Sequence, residues 1–344
     1  MPRFLLLTGF LLILCALATA QDDISQYNLS SNGNAFLLNE AHAASFFLLG
    51  ELHGENEIPA LLHALWPEMR RAGYAHVAAE VSPWAAKQLQ SGPVDAPFGL
   101  SLWSRADALF IHASGADVWG CDIEEGQPDR LISSQLSKNP QNAALLQMAA
   151  ITKTKYSRKD APQLLKLAEQ TADEDLLDTF RVEALRSDPS RRYEASVARE
   201  NILKKNFARQ LTASPPSDKV LLRFGRNHLH RGYDARGVST LGNFVAEIAT
   251  SKGSRAFNVA VFAAGGKEHL NGETFDADER SDEPAFQYFA ELAKYPATVF
   301  DLRPLRPALH RIPASNRTAL QNSLIYWTDT YDAIICYQTV TPLK

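Results

Sequence analysis

Short apolar runs alternating with helix-period segments constrain this chain more than any other feature. The runs are Phe46–Glu51, His76–Val81, Asp117–Cys121, Lys219–Gly225, Ala256–Ala264, Thr298–Leu302 and Ala333–Tyr337. They are too short for ordinary helices and lack the strict alternation of a half-exposed strand, so they read as strands buried on both faces. Between the first two, Ile58, Leu61, Leu62, Leu65 and Met69 recur at spacings of three and four, the helical period. This alternation predicts an α/β fold with a mainly parallel central sheet flanked by helices on both faces. Residues 128–212 read as almost entirely helical, a helical insertion within a single domain over 21–344. Residues 21–33 read as a loose leader and 265–282 as a polar surface loop.

The first twenty residues are not expected to join the fold. Arg3, the apolar run Phe4–Ala16 and the small residues Ala18-Thr19-Ala20 have the order of a secretory signal cleaved after Ala20. The expected location is secreted or periplasmic, with no membrane contact after cleavage. Cys121 and Cys336 then remain, open either to one disulfide or to two buried thiols. The chain has 344 residues, a net charge of −4 and a pI near 6.2, which gives no indication of a nucleic-acid partner.

What lies at the strand ends points to chemistry. The first run leads into Glu51 and His53, the second ends with Glu80, and the third is followed by Asp122. The fourth is followed by Arg226, Asn227, His228, His230 and Arg231. In a parallel sheet these ends share one rim, where open α/β sheets bind ligands. Glu51 and His53, two apart, face the same way in extended backbone. A carboxylate beside an imidazole holds the proton on one ring nitrogen and frees the other as base or ligand. Such a cluster suits either a divalent metal held by His53, His228 and Glu51, or acid–base chemistry on water. Both lead toward hydrolysis of a small-molecule or peptide substrate. No G-x-S-x-G elbow and no H-E-x-x-H helix is present, so an activated water is expected rather than a covalent intermediate. His53, Glu51, Glu80 and His228 are the candidate catalytic residues. Arg226, Asn227, Arg231 and Asp122 are the candidate substrate-binding residues, an arginine there being suited to a carboxylate or an oxyanion.

The stretches GELHGENEIPALLHAL, VAAEV and VLLRFGRNHLHRG together resemble the erythromycin esterase-like, ChaN-like and Tiki-like superfamily. Gly50-Glu51-Leu52-His53 resembles its G-x-x-H motif, Glu80 its second-strand acid, and Asn227-His228 its late histidine element. The helix over Arg192–Leu203 loosely resembles the one preceding that element in the esterases. The resemblance implies one of three chemistries: macrolactone opening by a His-activated water, metal-dependent proteolysis, or haem binding without catalysis. The esterase pattern places one more residue between its glutamate and histidine, so the spacing here is nearer the ChaN-like and Tiki-like form.

Overall fold

The computed structural model describes residues 24–91, 105–125, 128–153, 156–270 and 272–343. The signal-peptide reading of residues 1–20 therefore falls outside the described residues. In chain order the strands are β1 (Gln26–Asn28), β2 (Phe46–Glu51), β3 (Tyr74–Ala79), β4 (Asp117–Gly120) and β5 (Lys219–Gly225). They continue with β6 (Ala256–Ala263), β7 (Lys267–Leu270), β8 (Glu273–Asp276), β9 (Ala297–Asp301) and β10 (Ala333–Tyr337). Eight of them form one sheet in the order β1-β9-β10-β6-β2-β5-β3-β4. From β10 to β4 every neighbour is parallel, whereas β9 runs antiparallel to β10 and to β1.

The two-sided apolar runs explain why helices cover both faces. Along β2, Phe47 and Leu49 face one core with Val77, Leu221 and Val259. Phe46 and Leu48 face a second core with Ala78, Leu222 and Phe262. All of β2 is buried, as expected of a parallel strand between helical layers.

The insertion is helical, with helices Pro128–Lys138, Ala143–Thr152, Ala161–Ala168, Glu174–Arg186 and Arg192–Ala213. It has a small core of its own around Leu131, Met148, Leu164 and Phe180. Asp173 and Asn142 cap two of these helices through backbone N–H groups. Among the described residues no helix is long and apolar enough to cross a membrane.

Two expectations need correction. Gln26–Asn28 lies not in a loose leader but on the sheet edge, pairing with Thr298–Phe300. The surface loop over 265–282 contains the hairpin β7–β8. Its strands are short and solvated, so neither shows the apolar signal of a buried strand. Cys121 and Cys336 are free buried thiols. They lie at the ends of β4 and β10, five strand spacings apart or roughly 24 Å, far beyond disulfide reach.

Candidate active site

The parallel block β2-β5-β3-β4 brings its carboxyl ends to one rim, and the ionisable strand-end residues meet there. Glu51 closes β2, and two residues on His53 turns back over the rim. Gly54 makes that turn possible: its φ is +97°, and a Cβ there would lie 2.5 Å from the His269 carbonyl oxygen. Gly225, at the end of β5, admits the imidazole. A Cβ at that position would stand 2.6 Å from His53 Nε2 and 3.2 Å from Glu80 Oε2.

The resulting cluster is a chain of alternating charge. Glu51 Oε1 lies 3.4 Å from His53 Nδ1, an ion-pair contact too long for a strong hydrogen bond. Glu80 Oε2 lies 3.9 Å from His53 Nε2 and accepts from the Gly225 N–H at 2.7 Å. Glu80 Oε1 is shared by His228 Nε2 at 3.2 Å and Arg199 Nη2 at 2.8 Å. His228 Nδ1 is bound by Glu200, whose other oxygen accepts from the Leu241 N–H at 3.0 Å. Arg199 also holds Asp122 and, at 3.2 Å, Glu125. Beneath Glu51, Arg223 donates to Glu51 Oε2 at 2.6 Å and to Asp107.

Almost all of this is buried. The side chains of Glu51, Glu80, Asp122, Arg223, His228 and Glu200 are each no more than 7% exposed, while that of His53 is 26% exposed. Burial alone would strip a proton from His228, but Glu80 and Glu200 outweigh it and push its pKa up to about 10, against the pull of Arg199. His228 is thus an imidazolium at neutral pH, with both ring nitrogens donating. Glu80 is held well below the usual carboxylate range: burial opposes this, but His228, Arg199 and His53 prevail. Burial pulls the His53 pKa down, and Glu51 and Glu80 raise it beyond that loss.

Of the residues expected at the site, His53, Glu51, Glu80 and His228 come together, and Asp122 joins through Arg199. Asp122 is fully engaged there, which makes it a support for Arg199 rather than a surface for substrate. Arg226 sits at the rim but is bound to Glu279, donates to the Val261 carbonyl at 3.1 Å and lies 5.1 Å from the Phe286 ring. Asn227 is exposed to solvent. Arg231 is not brought to the site. It pairs with Asp332 and reaches the Ala256 carbonyl at 3.5 Å. Ala256 faces Phe46, five residues before Glu51, so this contact is roughly 16 Å from the rim.

Four residues of the cluster lay outside the sequence expectation: Arg199, Glu200, Arg223 and Asp107. Arg223 did carry a signal, since a charge inside the apolar run VLLRF must meet a buried counter-charge. Arg199 and Glu200 look like any solvated pair on a helix.

The arrangement does not fit a divalent metal or a haem iron. Both ring nitrogens of His228 are taken by carboxylates, Glu200 and Glu80, and Glu51 is held by Arg223, so His53 with Glu80 falls short of the three protein ligands a catalytic metal ordinarily takes. Nδ1 of His53 faces Glu51, leaving only Nε2 for an iron, and that atom stands against a carboxylate. Among the described residues no group of three or more His, Cys, Asp or Glu is arranged to hold a metal ion.

No protein-family model matches the chain, and no curated protein matches it. Solved structures do. A Bacillus cereus protein superposes with a TM-score of 0.61 over 95% of this chain and 97% of its own, at 13% identity. A succinoglycan biosynthesis protein gives a TM-score of 0.61 over 95% and 97%, at 14% identity. A variant of the erythromycin esterase EreC, in its open conformation, gives 0.58 over 91% and 95%, at 14% identity. Likeness at such identities speaks for the fold alone. In architecture, then, this chain is similar to these proteins, the erythromycin esterase among them, and its own fold is a mainly parallel α/β sheet with helices on both faces.

Proposed function

We propose that the protein is a hydrolase that cleaves an ester or amide with a water activated by His53. The observation that carries this reading is the asymmetry of the cluster. Glu51, Glu80 and Asp122 are each held by a largely buried cation, and the network contains one part-exposed imidazole, His53, between two of these acids. Glu51 favours the tautomer with the proton on Nδ1, which leaves the Nε2 lone pair facing Glu80. Nε2 and Glu80 Oε2 are 3.9 Å apart, so one water can hydrogen-bond to both at ordinary distances. In the reaction the water oxygen attacks the acyl carbon as Nε2 takes its proton. The same nitrogen then returns that proton to the leaving oxygen or nitrogen.

His228, open on sequence to a role as acid, base or ligand, has a supporting role in this reading. As an imidazolium it keeps Glu80 ionised and fixed, and Glu200 keeps His228 charged. Arg199 and Arg223 do the same for Glu80 and Glu51, so these are positioning residues. The leader-like segment Arg3–Ala20 supports a secreted or periplasmic enzyme acting on a small-molecule or peptide substrate. The test is a panel of esters and amides assayed with wild type, His53→Ala and Glu80→Gln. Loss of about a hundredfold or more in His53→Ala is expected. Unchanged turnover of an accepted substrate by His53→Ala would remove the imidazole from the mechanism.

A further inference from the structure

The β7–β8 hairpin lies against the loop that carries His53, with the His269 N–H donating to the Gly54 carbonyl at 2.8 Å. Side chains alternate across a two-stranded ribbon. Lys267 and His269 occupy one face, where they bind Asp276 at 2.5 Å and Thr274 at 3.0 Å. Glu268 therefore points to the other face. It is partly buried, and its charge is felt by His53, Arg226, Glu279 and Glu55. Arg226 is committed to Glu279. Glu268 has no hydrogen-bond or ion-pair partner among the described residues.

Directly across the ribbon from Glu268 stands Phe275, so the two share a face. Phe275 is 44% exposed, one of few large apolar side chains left so open among the described residues. A carboxylate without a partner beside an open aromatic ring is the chemistry that holds organic cations. The carboxylate supplies the charge and the ring face supplies the cation–π attraction. A small divalent ion would instead demand several oxygens, and the ring offers none.

We propose that this hairpin face is a specificity subsite that holds an alkylammonium group of the substrate between Glu268 and Phe275 while the scissile bond lies at His53. The proposal rests on the hydrolase reading for its second half only. An ester or amide bearing a protonated or quaternary amine is the substrate class it selects.

The test compares acetylcholine with its uncharged carbon isostere 3,3-dimethylbutyl acetate. Binding of tetramethylammonium is followed separately by calorimetry at fixed ionic strength. Wild type is expected to prefer the cationic ester in kcat/KM by about fivefold or more. Glu268→Gln and Phe275→Leu should each remove most of that preference and weaken tetramethylammonium binding, with unchanged circular dichroism. Equal turnover of the two esters by wild type would overturn the subsite and leave the hydrolase reading standing. Glu268-dependent tetramethylammonium binding with neither ester cleaved would sustain the subsite and count against the hydrolase reading. Absence of both binding and cation preference in wild type defeats the subsite outright.

Discussion

Two halves of one sheet meet along β2, and both bury charge. In the β6-β10-β9 half, Asp332 is held by Arg231 and Arg306, and Asp301 by Arg303. The acids there are matched by part-exposed guanidinium groups alone, and no imidazole enters these pairs. In the β2-β5-β3-β4 half, Glu51, Glu80 and Asp122 are held as tightly by Arg223, Arg199 and His228. That network reaches solvent at the Glu125 carboxylate and, through an imidazole, at His53. Buried ionic groups are weak evidence of function on their own, because they often do no more than hold elements in place. What sets the second half apart is an imidazole with a quarter of its surface in solvent, flanked by two carboxylates that are almost wholly buried.

The sharpest way to break this comparison is to remove the central cation of each half. Arg223→Met leaves Glu51 and Asp107 buried without their shared guanidinium. It should cost about 3–5 kcal/mol in urea unfolding, and activity with it. Arg231→Met should cost less, because Arg306 still holds Asp332 at 2.9 Å, and turnover should stay near wild type. If both variants lose stability and activity alike, the two halves do not differ in kind.

Gly225→Ala is the next largest effect and acts on geometry alone. The added methyl would displace His53 from Glu80, with turnover expected to fall roughly ten- to a hundredfold. The melting temperature should change much less.

The pH dependence of stability gives a smaller, graded effect. The folded pKa of His228 is about 10, above its ordinary value of 6.5. Stability from this group is therefore complete below about 6.5 and is lost as pH rises toward 10. Thermal melts between those limits should show a falling midpoint in wild type and a flatter profile in His228→Gln. A wild-type midpoint that rises across the same window would contradict a charged His228.

Much of this was legible in the sequence. The seven apolar runs became the seven longer strands of the central sheet, and the polar ends of β2, β3, β4 and β5 met at one rim because parallel neighbours leave them no alternative. Glu51 and His53 declared themselves by standing two apart beyond an apolar run. What could not be read was pairing across the chain. Nothing local distinguishes Arg199-Glu200 from a solvated helix face, or Arg231, paired with Asp332, from an arginine facing substrate. Glu57, in the first turn of the helix Glu57–Arg71, accepts from the Thr341 N–H at 3.0 and 3.1 Å, a partner far along the chain. The hairpin β7–β8 escaped because its strands are polar and short, and pattern reading registers apolar periodicity.

The most direct test of the central claim, that His53 is the base at the open end of a buried charge network, is the pH profile of kcat/KM for an accepted ester. A neutral imidazole is required and its pKa is raised, so turnover should climb with pH through an inflection above 6.5 in wild type. His53→Gln should fall to a small residual rate without that inflection. The same inflection surviving in His53→Gln at a comparable rate would contradict the account.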